Sequence, residues 1–209
     1  IIYNNILSQY GHLGLATLGI CFRINGLVMM VLFGIGHGVM PMVGYSLGAR
    51  LYERLLKTVH TAVRCSTLFA GVASLAIFVA ADPILAVFSD DSELAATAVP
   101  ALRIFISTLT LAAPTIVWIN LFIGLGKGTT SMVLLFIRDA LLLIPLMYLF
   151  SAWLGMDGVW LAQPVSTVAA FFVIMGWSGR ELAAVRQRCR NNENAPVAGE
   201  DTGAFRSGQ

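Results

Sequence analysis

Apolar residues run through this chain in stretches long enough to cross a lipid bilayer, separated by short polar connections where the charges collect. A helix rises about 1.5 Å per residue and the hydrocarbon core is about 30 Å thick, so about 20 apolar residues make one crossing. On that measure five spans are predicted, at about residues 15–48, 61–81, 101–126, 129–153 and 158–179. Residues 1–10 are too short to cross alone. Because the chain starts with Ile1 and its first ten residues look like the close of a helix, they read as the end of a truncated span, with a cleaved signal peptide as the rival explanation. Residues 49–60 put Leu51, Tyr52, Leu55, Leu56 and Val59 at helical spacing and Arg50, Glu53, Arg54 and Lys57 opposite, the pattern of an amphipathic helix lying in the membrane surface. Glu53 and Lys57 are spaced for an i,i+4 pair. Beyond Arg180 the apolar period ends. A short basic helix to Arg190 is predicted, and the rest of the tail 181–209 reads as largely disordered.

Composition agrees, with 57% hydrophobic and 11% charged residues and a mean hydropathy of +0.80. A water-facing exterior draws on about a quarter charged residues, so this is read as an integral membrane protein. Lys and Arg favour the cytoplasmic side of short loops. If the spans alternate, Arg50, Arg54, Lys57, Arg64, Lys127, Arg180, Arg186, Arg188 and Arg190 fall together, while Asp82, Asp90, Asp91, Glu93 and Asp157 fall opposite, with Arg23 and Arg103 nearer the acidic side. The expected topology is multi-pass in the cell (inner) membrane with a cytoplasmic C-terminus. The net charge of +2 then reflects orientation and gives no support to nucleic-acid binding. Cys21, Cys65 and Cys189 are an odd set without metal-ligand spacing, and no disulfide framework is expected.

Several short motifs invite a chemical reading. Gly44-Tyr45-Ser46-Leu47-Gly48 matches a nucleophile elbow by letter, but it ends an apolar helix and the last histidine, His60, follows too closely. Gly124-Leu125-Gly126-Lys127-Gly128-Thr129 has Gly128 where a phosphate loop needs Ser or Thr, and reads as a turn. His12, His37 and His60 show no ligand spacing, so no metal site is predicted. Pro41, Pro114, Pro145 and Pro164 lie within spans and are expected to bend or break them. The pairs Gly34/Gly38 and Gly44/Gly48 have the small-xxx-small spacing that lets a neighbouring helix approach. Arg138 and Asp139 are the strongest polar signal: placed at membrane depth they should face the bundle or a wet cavity, and being adjacent on a helix they should not fully satisfy each other. The alternative is a span starting at Ala140 with the pair at the interface. Asn25, Asn120 and Gln163 are further polar points in spans, either interhelical hydrogen bonds or pathway contacts.

Taken with their order and spacing, several segments carry a resemblance. They are Gly34-Ile35-Gly36 through Pro41 to Gly48-Ala49-Arg50 and Arg54; Phe88 to Glu93; Gly126-Lys127; Arg138 with Pro145; and Gly155 to Trp160 with Gln163-Pro164. In these the chain resembles the C-terminal half of multidrug and toxic compound extrusion (MATE) transporters of the DinF and MepA-like branch. The resemblance implies an all-α polytopic bundle, one six-helix lobe of a twelve-helix protein that exports organic, often cationic compounds in exchange for Na⁺ or H⁺. It implies no cofactor beyond that coupling ion. Its partners would be the bilayer, an N-terminal six-helix lobe and small organic substrates. Asp139 and Thr167 depart from the family pattern, which has Gln and an acid there.

The resulting expectation is a lobe of an alternating-access antiporter and not an enzyme. Asn120, Arg138, Asp139 and Gln163 are the candidate polar contacts of its substrate or ion pathway, and Met30, Met40 and Phe122 the apolar ones. A lipid-linked precursor or polysaccharide flippase of related architecture is the alternative; it calls for a more cationic cavity than Arg23, Arg103 and Arg138 supply.

Overall fold

The computed structural model describes residues 12–88 and 92–193, and these are helical throughout apart from short turns. In chain order the helices are α1 (His12–Gly48), α2 (Tyr52–Val79), α3 (Ala81–Phe88), α4 (Ser92–Ser107), α5 (Leu109–Gly124), α6 (Gly128–Phe136), a π-helical segment (Ile137–Leu142), α7 (Leu143–Leu154) and α8 (Met156–Glu193). By length and composition Gly14–Gly48, Tyr52–Val79, Gly128–Trp153 and Gly158–Gln187 can each cross a membrane, and Ala96–Ser107 with Leu109–Gly124 makes a fifth crossing bent by 43°. The reading of residues 1–10 and the disorder expected beyond Glu193 lie outside the described residues.

Helix α5 sits at the centre because its sequence is apolar on every side, and a helix of that kind is stable only when surrounded. It packs against α1, α2, α6 and α8. Val117 and Leu121 meet Val39 and Val43 of α1, Leu55 and Val59 of α2 and Val185 of α8 in one cluster; Ala113 and Ile116 meet Val28 and Leu32 of α1 and Ala70 of α2 in another. Toward the other end of the bundle, Cys21 and Ile24 of α1 join Leu85 of α3, Leu102 and Ile106 of α4, Met147 of α7 and Trp160 of α8. Short polar ties hold neighbours in register: Ser131 Oγ donates to Ile119 O at 2.7 Å and Ser74 Oγ to Ile106 O at 2.9 Å.

The structure adds to or departs from the sequence reading at several points. Residues 49–60 do not form a separate surface helix, since Tyr52–Val79 is one unbroken helix; Leu55 and Val59 continue inward onto α5, so the amphipathic face belongs to the bundle. The Glu53–Lys57 pair is not among the ion pairs of the described residues. Of the prolines expected to bend or break spans, Pro41, Pro114 and Pro164 do not break the helices that hold them, as membrane helices permit when neighbours cover the freed backbone. The third span is bent by 43° at Thr108, six residues ahead of Pro114. Pro145 lacks the N–H that would reach Leu141, and the wider π turn at Ile137–Leu142 directly precedes it.

Glycine packing also differs from the expected spacing. A Cβ at Gly34, Gly38 or Gly48 would meet nothing within 4 Å, whereas one at Gly36 would lie 2.6 Å from Asn120 Nδ2 and one at Gly124 2.7 Å from Met40 O. The close seam is therefore α1 on α5, through Gly36, Gly44 and Gly124. It is offset by two residues from the Gly34/Gly38 pair because that pair points out of the bundle.

Candidate functional site

The two turns at the basic end of the bundle are built alike. At the end of α1, Leu51 N–H donates to Ser46 O at 2.8 Å and Arg50 N–H to Leu47 O at 3.1 Å, with Arg50 at φ 56°. At the end of α5, Lys127 N–H donates to Phe122 O and Gly126 N–H to Ile123 O, both at 2.9 Å, with Gly126 at φ 76°. These paired bonds close helix ends through one left-handed residue. The glycine-rich stretch is thus a helix stop, and the Ser46 of the elbow-like motif is a buried residue in the last turn of α1. Lys127 then reaches across to α8, its Nζ 2.6 and 2.7 Å from the two carboxylate oxygens of Glu181. At the opposite end Arg103 pairs with Asp82 at 3.0 Å and lies over the Phe78 ring at 5.4 Å.

The candidate residues occupy three different settings. Asn120 is buried on α5 facing Gly36, its Nδ2 donating to Ile116 O at 2.9 Å, so it serves the α1–α5 seam. Phe122 is fully buried among Ile119, Leu134 and Ile174; with no exposed surface it lines no cavity, a correction to its place among the apolar contacts. It points to α6 and α8 because α5 is enclosed on that side. Met30 and Met40 do open outward, at 75% and 37% exposure, on an α1 face that also carries Phe33 and His37, stacked at 6.4 Å between ring centroids. Asn25 and Gln163 are half-buried, and Gln163 O accepts from Thr167 Oγ1 at 2.9 Å.

Arg138 and Asp139 lie in the π-helical segment and make one contact with each other, Nε to Oδ1 at 3.3 Å. The long arginine side chain folds back across its neighbour, which helical geometry alone does not forbid. The arginine is mostly covered, with 18% of its side chain exposed, while Asp139 has 61%, so the carboxylate faces outward. Among the described residues, no three His, Cys, Asp or Glu side chains come together as a metal site.

Sequence reading missed the groove between α1 and α2. It holds about 610 Å³ and is lined by Ile35, Val39 and Met42 from α1 and Arg54, Lys57, Thr58 and Thr61 from α2. The signal was present in the outward spacing of Arg54, Lys57 and Thr61, but it was assigned to a helix lying on the membrane.

Comparison with known proteins gives consistent results. The MatE family model matches residues 1–149. The multidrug export protein MepA of Staphylococcus haemolyticus is 24% identical over 177 residues, 83% of this chain and 38% of that protein, and the MepA of Staphylococcus saprophyticus is 22% identical over 180 residues, 83% of this chain and 39% of that protein. Among solved structures, a multidrug resistance MATE family transporter of the MOP superfamily in an outward-facing conformation superposes with a TM-score of 0.83 at 21% identity, covering 89% of this chain and 42% of that one. An inward-facing structure of such a transporter gives 0.74 at 22% identity, covering 80% and 39%. The chain thus spans about two-fifths of the length of the relatives it matches. A family model covering well over half of the sequence, on a multi-pass helical bundle of matching fold, makes this chain a member of the MatE family.

Proposed function

We propose that this chain forms one lobe of a two-lobe multidrug efflux transporter, exporting organic, often cationic compounds in exchange for Na⁺ or H⁺. The observation that carries the reading is the outer face of α1, where Met30, Phe33, His37 and Met40 follow one another at helical spacing without a covering helix among the described residues. Thioethers and aromatic rings attract flat organic cations through polarisability and the ring quadrupole, and they adapt to many shapes. A face of that kind suits broad rather than single-substrate recognition.

In this reading α1 is one wall of a central pathway whose other wall comes from a second lobe. The α1–α5 seam at Gly36, Asn120 and Gly124 holds that wall rigid, so the lobe moves as a body. A coupling ion that binds one facing state better than the other shifts the balance between them, and the two lobes rock about the bound compound. The likeness of the same lobe to chains in an outward-facing and an inward-facing conformation supports this alternation. Arg138, Asp139 and Gln163 are polar groups that could serve this pathway. The Lys and Arg distribution supports a cytoplasmic C-terminus in a cell-membrane protein.

The test is uptake of a fluorescent organic cation into everted membrane vesicles bearing the complete polypeptide, driven by an imposed Na⁺ or proton gradient. Transport under one of the gradients, lowered by Met30→Ala and Phe33→Ala at equal expression, is the expected result. No transport under either gradient, with the protein verified in the membrane, refutes the reading.

A further inference from the structure

The side of α2 that turns away from the bundle carries an ordered stripe which the transport reading does not use. Arg54, Lys57 and Arg64 are exposed along its first turns, and Leu68, Val72 and Leu75 continue it at 71%, 62% and 64% exposure. At about 100° per residue these six fall within an arc of roughly 80°. The distance from Arg64 to Leu75 is roughly 16 Å along the axis, close to the roughly 15 Å of hydrocarbon in one leaflet.

None of the three cations has a carboxylate within ion-pair distance among the described residues, Glu53 included. The groove shared with α1 brings Arg54 and Lys57 beside the hydroxyls of Thr58 and Thr61, and a shallow apolar surface on α2 runs on from Arg64 along Leu68, Val72 and Leu75. Guanidinium, ammonium and hydroxyl groups donate to phosphate oxygens, and cations beside a membrane attract anionic headgroups. A soluble anion makes no use of the aliphatic half, and a neutral lipid makes none of three uncompensated cations.

We propose that this stripe binds an anionic phospholipid of the leaflet on the basic side of the membrane, with its phosphate at Arg64, the charges of Arg54 and Lys57 above it adding to the attraction, and an acyl chain laid along Leu68, Val72 and Leu75. Binding there is independent of whether the pathway on α1 transports drugs, and it is read without transport.

The experiment measures retention of phosphatidylglycerol against phosphatidylcholine by the purified full polypeptide in mixed-lipid nanodiscs, by native mass spectrometry. Wild type should retain phosphatidylglycerol preferentially. A single Arg54→Gln or Arg64→Gln should weaken retention about fivefold, and Arg54→Gln/Lys57→Gln/Arg64→Gln about a hundredfold. The charge-keeping Arg54→Lys/Arg64→Lys variant should stay near wild type, which separates lost charge from lost folding. Equal retention of the two lipids by wild type, an unchanged triple variant, or loss in the charge-keeping variant overturns the proposal. So does displacement of the lipid by millimolar inorganic phosphate, because the site would then read a headgroup alone.

Discussion

Substituting Gly124 by Ala puts a methyl group into the tightest point of the lobe. Its Cβ would lie 2.7 Å from Met40 O and 2.9 and 3.0 Å from Val43 Cβ and Cγ1. Comfortable contacts between such atoms fall at about 3.5 Å or more, and Met40 O is backbone, so α1 and α5 must separate by on the order of 1 Å. Overpacking of this kind costs about 1–3 kcal/mol, of which up to about 1 kcal/mol is offset by the helix preference of Ala over Gly. For a chain of this size the net loss corresponds to a melting temperature lowered by about 2–8 °C. Gly34→Ala is the control: its Cβ meets nothing within 4 Å, so only the helix preference remains and the protein should melt no lower than wild type. Thermal unfolding in detergent, followed by tryptophan fluorescence, compares the two. If Gly124→Ala melts as high as Gly34→Ala, the seam is not the close contact argued for.

Other substitutions test the ends and the polar pair. Gly126→Ala places a side chain in open space at φ 76°, so its cost of about 1 kcal/mol is backbone strain alone, and Arg50→Gly at φ 56° should raise the melting temperature by relieving the same strain. Lys127→Met removes a pair whose side chains keep 47% and 21% exposure, and should change stability by less than about 1 kcal/mol in the same melting assay. Arg138→Ala in the complete transporter should lower drug efflux several-fold at equal expression, and unchanged drug resistance would take Arg138 out of the pathway.

Much of the architecture was legible because bilayer thickness leaves few choices: apolar runs of sufficient length had to become helices, and those helices are present. The details that needed knowledge of neighbours were not. Gly34 and Gly36 are equivalent on paper, and only the position of Asn120 on α5 decides which of them is packed. Phe122 and Met40 are both apolar residues within spans, yet one is enclosed by α6 and α8 and the other faces out, a difference set by how α5 is surrounded. That Arg138 reaches Asp139 at one point while the carboxylate stays outward depends on how the arginine side chain folds back, and the π-helical turn ahead of Pro145 could not be read from the residues alone. Residues 49–60 have the composition of a surface helix and could be placed in the bundle only once Leu55 and Val59 were seen on α5.

Whether α1 lines a drug pathway can be asked at a single side chain. With Cys21, Cys65 and Cys189 replaced, Met30→Cys is treated with a bulky cationic thiol reagent in membranes while efflux of a fluorescent cation is followed, and Leu68→Cys on the outer stripe of α2 serves as the reference. Efflux should stop on modification at residue 30, excess transported drug should slow that modification, and reaction at residue 68 should leave transport intact. Complete modification at residue 30 with full efflux and no protection by drug would contradict the placing of α1 in the pathway.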